Sequence, residues 1–416
     1  MEDFAMDGSR FRTFCFVVAA LLASLGCESS SDLEGDVAGR TQAPLGAWVV
    51  ALDGDVVVIG AEDDGVDGAG SGAGYVYRYD GADWKGENRF FAADPTTDAR
   101  LGVAVAVDGD FIAAVAFDDR GANSGSVYVF EYDGVDWIET QKLVPEDAAD
   151  ADTFYSAVAI EDDEIVVGAF DSTTDTGHVY VYRYDGFTWN HEQTVTPLVP
   201  ADAELFGTAI SLSDDVMVVG SWGSSGAGTD SGSAYVFRFD TVNWVEEQIL
   251  TASDAAAFDT FGFAVAVDDD AIVVGALRDD DGATETGSAY VYRFVATAWV
   301  EEQKLTASDG QREDRFGSAV DIDGDTIAVG AKFAEGIHFI DGFAGAAYVF
   351  RFDSMNWIEE QKVADNDVGS ELFGSSVAVD GDVLAIGTFD VANFAHIFRF
   401  DGAGMVWEAE DILDAL

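Results

Sequence analysis

The sequence predicts an all-β fold, a seven-bladed β-propeller built from four-stranded antiparallel blades, and three observations carry that prediction. Apolar runs of four to seven residues, rich in Val, Ile and aromatics, lie between turn residues and are too short for helices. The runs come in sets of four, as at 263–267, 271–276, 289–293 and 299–305. The set recurs seven times, its last run opening at Trp84, Trp137, Trp189, Trp244, Trp299, Trp357 and Trp407, with spacings of 50 to 58 residues. A period of that length holding four strands is the signature of a propeller blade. One such sheet cannot bury both faces alone, so each packs on its neighbours and the seven close a ring.

Taken from the N-terminus, residues 1–26 read as a signal peptide. Arg10 and Arg12 precede an apolar run at 14–23 that is short for a bilayer span. Met6 is an alternative start, because Glu2 and Asp3 are out of place in a basic leader. Ser24-Leu25-Gly26-Cys27 resembles the bacterial lipoprotein box, which implies lipidation of Cys27. Ser24 and Leu25 depart from the usual leucine and small residue of that box, and ordinary signal-peptidase cleavage is the alternative. Glu28 after the cysteine favours, by the same resemblance, an outer-membrane or cell-surface location, with secretion as the alternative. Residues 27–44 are then the lipidated cysteine and a polar, aperiodic tether. Repeats fill 45–416, at approximately 45–100, 101–153, 154–205, 206–260, 261–315, 316–372 and 373–416. The two cysteines, Cys15 and Cys27, precede the repeats, so the propeller uses no disulfide. Because the last repeat carries its own fourth strand, the ring is expected to close by face packing alone.

Within the repeat, the first hairpin turns on Asp53-Gly54-Asp55, Asp108-Gly109-Asp110, Asp323-Gly324-Asp325 and Asp380-Gly381-Asp382, where glycine accepts the positive φ of a tight turn. Calcium needs six or more oxygens, more than such a turn supplies. The nearest metal candidates are Asp321, Asp323 and Asp325, together with Asp279, Asp280 and Asp281 in a second-to-third loop. The third strand ends in Arg78, Arg183, Arg238, Arg293, Arg351 and Arg399, with Glu131 breaking the pattern. A structural ion pair to a fourth-strand glutamate is expected there. Glu301-Glu302-Gln303-Lys304 and Glu359-Glu360-Gln361-Lys362 place charge on the outer strand, which discourages edge pairing, and the tryptophans are expected between blades. Asp94, Asp147, Asp254, Asp309 and Asp367, each ten residues after its tryptophan, are expected to cap turns. His178, His191, His338 and His396 fall at different repeat positions, so no spacing converges them on a metal or a triad; His396 stands for a third-strand aromatic.

Phe206-Gly207, Phe261-Gly262, Phe316-Gly317 and Phe373-Gly374 head the first strand, and Gly60-Ala61, Gly168-Ala169, Gly275-Ala276 and Gly330-Ala331 end the second. These pairs resemble FG-GAP repeats, which build integrin α-chain-type propellers. The proline of that motif is absent, and the short first hairpin with a Trp-x-Glu-Glu-Gln-Lys-Leu fourth strand is closer to a bacterial variant. The resemblance spans essentially all of 45–416 and implies an extracellular binding or scaffold role. It also implies that catalysis beside such propellers resides in a separate domain, for which this chain has no room.

With 20 Lys and Arg against 79 Asp and Glu, the net charge of −59 excludes ordinary phosphate-backbone binding, so no nucleic-acid partner is expected. A meander gathers its tight turns at one end and its long, variable loops at the other, where functional residues concentrate. Among those acidic loops the sixth is apolar: Phe333, Ile337, His338, Phe339, Ile340 and Phe343 form the candidate ligand site, unless the loop folds over the channel. The expectation is a monomeric, surface-anchored, non-enzymatic binding or adhesion scaffold. It would have an extracellular protein or glycan as partner, the membrane reached through the lipid, no catalytic residue and no cofactor. Two alternatives stand beside it. One is a calcium-dependent structural surface component; the other is a hydrolase or lyase working at the propeller face through the linking aspartates and His338.

Overall fold

A computed structural model of the protein describes residues 49–117, 125–144, 152–171, 176–199, 205–280, 284–334, 344–364, 371–389 and 395–413. Its strands form seven sheets of four consecutive antiparallel strands each. Blade 5 shows the pattern: Phe261–Asp268, Ala271–Ala276, Ser288–Val295 and Ala298–Leu305 pair in chain order. The first strands of successive blades touch one another in a closed cycle and surround the central channel. Second strands such as Ala271–Ala276 are buried along their whole length, because a blade covers each face. Outer strands such as Trp244–Leu250 bury only their ends and alternate exposed residues between.

The Phe-Gly and Gly-Ala pairs meet across the joint between blades. A Cβ on Gly275 would lie 2.1 Å from the carbonyl oxygen of Gly317 in the next blade, and similar contacts join Gly60 to Gly102 and Gly330 to Gly374. Gly262 has φ +86°, and a Cβ there would lie 2.2 Å from the Ser233 carbonyl oxygen, so both space and backbone demand glycine. The rings of Phe206, Phe261, Phe316 and Phe373 are wholly buried beside the third-strand aromatics of their own blades.

Several polar residues of the outer strand also reach across a joint. Gln303 donates to the Trp357 carbonyl at 2.7 Å and accepts the Trp357 N–H at 2.8 Å, so one side chain clamps two blades. Gln141, Gln193, Gln248 and Gln361 repeat the clamp on Trp189, Trp244, Trp299 and Trp407. Glu302 accepts from Arg293 of its own blade and from Nε1 of Trp357 in the next, while Arg293 stacks on Phe352. The arginine pairs expected from the sequence are therefore present, at Glu87, Glu192, Glu247, Glu302, Glu360 and Glu410. Glu301 and Glu359 reach back to Ser253 N and Ser308 N of the preceding link. So the outer-strand charges are interblade ties as well as edge cover. The linking aspartates differ from expectation too. Asp94, Asp254 and Asp309 each accept a tyrosine hydroxyl and pair with Lys142, Lys304 and Lys362 of the following blade; Asp147 and Asp367 lie outside the described residues.

One joint is built differently. Blade 2 carries Glu131 at the arginine position and Thr140 at the glutamate position, and Trp189 Nε1 of blade 3 is buried without a hydrogen-bond partner among the described residues. Phe111 fills that joint, meeting Tyr184 and Trp189 edge-on at 5.2 and 5.4 Å. Among the described residues the ring closes as predicted, each blade using its own four strands. Val50 N donates to Ser376 Oγ, Trp84 Nε1 donates to Glu410, and Arg399 lies over Tyr79, joining blade 7 to blade 1.

Candidate functional site

The channel has two unlike mouths. At the tight-turn end, the last residue of every first strand accepts the backbone N–H of the next blade's hairpin. Asp53 takes Gly109, Asp108 takes Asp162, Glu161 takes Asp214, Ser213 takes Asp269, Asp268 takes Gly324, Asp323 takes Gly381 and Asp380 takes Gly54. Seven acceptors thus close a circle, six of them carboxylates. Burial and mutual repulsion raise Asp108, Glu161 and Asp268 above the usual carboxylate range. One layer deeper, where the other blades carry Ala or, once, Ser, blade 6 carries Asp321, which accepts the Val379 N–H at 2.7 Å. Burial, reinforced by Asp323 and Asp268, pushes it up to about 7.

The position that follows Gly-Ala, or its equivalent, at the long-loop end of the second strand varies among the repeats. Five repeats place an apolar residue there (Phe117, Phe170, Trp222, Leu277 and Phe389), and two place a charge, Glu62 and Lys332. Glu62 is 4 % exposed and its Oε2 has no hydrogen-bond partner among the described residues. Desolvation first, then Asp63, pushes its carboxyl up to about 7, although Arg100 opposes the shift. Lys332 is 8 % exposed, its ammonium 5.3 Å from the Phe263 ring and 5.8 Å from the Phe333 ring. Desolvation and the like charges of Arg315 and Arg278 pull it down to about 8. Nearby Asp259, 5 % exposed, is raised to about 6 by burial and by Asp279, Asp254 and Asp280.

Of the ligand-site candidates, Phe333 lies at this mouth with Arg315 over its ring at 4.7 Å; Ile337, His338, Phe339 and Phe343 lie outside the described residues. The metal candidates do not converge. Asp323 holds Gly381 N, Asp325 pairs with Arg351, Asp321 holds Val379 N, and Asp279 pairs with Lys304 and the Tyr290 hydroxyl. Asp280 accepts the Glu285 N–H, and Asp281 is outside the described residues. Among the described residues no group of three or more His, Cys, Asp or Glu is placed to hold a metal ion. Cys27 also lies outside them. Sequence reasoning passed over Glu62 and Lys332, and singled out Asp321 only as a metal candidate. The signal was present, since each is a charge at a repeat position that other copies fill with an apolar or small residue.

Five stretches, 84–130, 137–182, 189–237, 244–292 and 299–350, match the FG-GAP repeat family and together take in more than half of the chain. The chain belongs to the FG-GAP repeat family. Each FG-GAP match runs from the tryptophan of one blade to the third strand of the next, so the family unit straddles a blade joint. No curated protein matches the sequence. Among solved structures, a candidate 6-phosphogluconolactonase from Bacteroides fragilis aligns at TM-score 0.57 and 11% identity, over 87% of this chain and 96% of its own. A periplasmic gluconolactonase from Pseudomonas aeruginosa aligns at TM-score 0.56 and 11% identity, over 87% and 96%. The β-propeller domain of the Trilobed protease from Pyrococcus furiosus, described as an open velcro topology, aligns at TM-score 0.50 and 10% identity, over 89% and 100%. Identities this low show a shared fold alone. They nevertheless correct the expectation that this FG-GAP chain is no enzyme. That expectation leaned on the lack of room for a separate catalytic domain, whereas gluconolactonases align with this single propeller over nearly their whole length.

Proposed function

We propose that this FG-GAP propeller is a binding module, held at the outer membrane or cell surface by lipid on Cys27, that engages an extracellular partner at the long-loop mouth of its channel. The observation that carries the reading is the pair of buried ionisable groups Glu62 and Lys332: among the described residues Glu62 Oε2 has no hydrogen-bond partner, and the charges acting on Lys332, those of Arg315 and Arg278, are like its own. Leaving such groups unpaired costs stability, and they concentrate at sites where a ligand supplies the missing partner. At the opposite mouth the carboxylates are already engaged with the turns of neighbouring blades.

The test uses the full chain displayed on cells and an array of extracellular proteins and glycans. Trp222→Ala combined with Phe263→Ala is expected to abolish binding, while Phe187→Ser combined with Met355→Ser at the tight-turn end leaves it intact, with unchanged melting in both. Loss confined to the tight-turn pair overturns the assignment of the face. Release of a Cys27→Ser chain into the medium checks the anchor.

A second reading, a hydrolase acting at the same mouth, is favoured by Glu62, a carboxyl held protonated near neutrality and so able to act as a general acid. The distant likeness to gluconolactonases makes gluconolactone the first substrate to try. Hydrolysis that survives unchanged in Glu62→Gln removes this reading.

A further inference from the structure

We propose that the long-loop mouth where blades 4, 5 and 6 meet is a binding site for an organic anion, a carboxylate carried on a flat apolar body. This rests on the reading that the long-loop mouth binds, and it names the chemistry of what enters.

The site is a continuous chain of contacts. The Trp222 ring lies 6.3 Å from Phe263, which lies 5.3 Å from Lys332 Nζ; that amine lies 5.8 Å from Phe333, over which Arg315 stacks at 4.7 Å. Trp222 and Phe263 are each half-buried, so part of each ring is exposed at the rim, while Lys332 itself is buried. Three cations, Lys332, Arg315 and Arg278, converge in a chain whose net charge is −59. Two acids offset them: Glu285 bonds Arg315 at 3.1 Å and stands 4.0 Å from Arg278, and Asp230 feels the charge of Arg278. Among the described residues no carboxylate or carbonyl bonds the Lys332 ammonium, and the charges acting on it are both positive.

An ammonium has three N–H donors, and leaving them unmet below an aromatic rim is unfavourable unless something arrives to accept them. A carboxylate supplies two acceptor oxygens and a neutralising charge. A flat apolar body behind it covers the exposed parts of the Phe263 and Trp222 rings, where offset or edge-on ring contacts are favourable. A phosphate dianion meets the charge but leaves those faces wet and is costlier to desolvate.

The probe is sodium benzoate, titrated into the purified full chain and followed by ligand-observed NMR, with benzyl alcohol and inorganic phosphate as comparisons. Saturable binding of benzoate is expected, at least about tenfold tighter than either comparison, each tenfold being about 1.4 kcal/mol. Lys332→Met, which removes a buried charge and keeps the side-chain volume, is expected to weaken benzoate at least about tenfold. Its melting temperature should be equal or higher. Phe333→Leu weakens it less, and Lys85→Met, at an exposed lysine on the outer strand of blade 1, leaves it unchanged.

Equal binding of benzoate and benzyl alcohol, or benzoate binding that survives Lys332→Met, overturns the proposal. Phosphate binding as tightly as benzoate overturns the flat-body requirement. If benzoate fails while Trp222→Ala with Phe263→Ala still abolishes surface binding, the ligand class is wrong and the binding face stands. The converse result, benzoate binding without any effect of that pair on attachment, separates the two in the other direction.

Discussion

Gln303→Ala is expected to destabilise the propeller by about 2–3 kcal/mol. The wild-type amide makes two hydrogen bonds to the main chain of Trp357, at 2.7 and 2.8 Å, across the joint between blades 5 and 6. Each is worth about 1 kcal/mol net, and each main-chain group left without a partner adds about 1–3 kcal/mol if water does not reach it. Both bonds are part-buried, so water recovers some of that second cost, and the sum falls towards the lower end. Gln303→Glu keeps an acceptor for the Trp357 N–H but has no donor for its carbonyl, so it should lie between alanine and wild type. Equilibrium urea unfolding, followed by tryptophan fluorescence and circular dichroism with the slope checked for constancy, measures the differences. A loss below about 0.5 kcal/mol for alanine, in the range of surface substitutions, would refute the clamp. So would a glutamate variant as weak as the alanine one, because the acceptor half of the bridge would then contribute nothing.

The remaining predictions concern the seam, the channel and the glycine pairs. Asp411 stands where the other outer strands carry glutamine or asparagine, so Asp411→Gln is expected to supply the missing donor at the joint with blade 1. The gain should be about 1 kcal/mol in the same urea assay; a loss would show that the seam is closed by other means. Asp321, raised to about 7, keeps its proton in the folded state well above the usual aspartate value of 3.8. The folded state then binds more protons than the unfolded between those values, so stability falls as pH rises from about 4 to about 7. Asp321→Asn should leave stability unchanged at pH 4 and raise it at pH 8 by on the order of 2 kcal/mol, allowing for partial access to the channel. A difference independent of pH contradicts this. The Lys-paired Asp94, Asp254 and Asp309 have the opposite sign: their pKa values are lowered, and their contribution is lost only as pH falls below the ordinary aspartate value of 3.8. Gly262→Ala is expected to cost at least about 3 kcal/mol, because a Cβ 2.2 Å from the Ser233 carbonyl and a φ of +86° both force the backbone to move. Near-wild-type urea stability would show that the joint has slack.

Strands, turns and the seven-fold repeat were legible in the chain because alternation and Asp-Gly corners are local properties of a few consecutive residues. Ring closure followed as well, since seven complete meanders leave no strand to exchange. The role of arginine was legible for a related reason: six copies at one position, amid excess acid, point to a repeated partner. Beyond that the chain was silent. The outer-strand Glu-Glu-Gln-Lys read as edge cover because its partners, such as Trp357 for Gln303 and Asp254 for Lys304, lie about fifty residues away on another blade. The linking aspartates read as turn caps for the same reason. Glu62 and Lys332 were visible as departures from the repeat, yet only the packed ring shows that they are buried and that Arg315 and Arg278 crowd the lysine. Which charges meet is decided by how the blade faces stack around the channel, and that geometry exists only once every blade is in place.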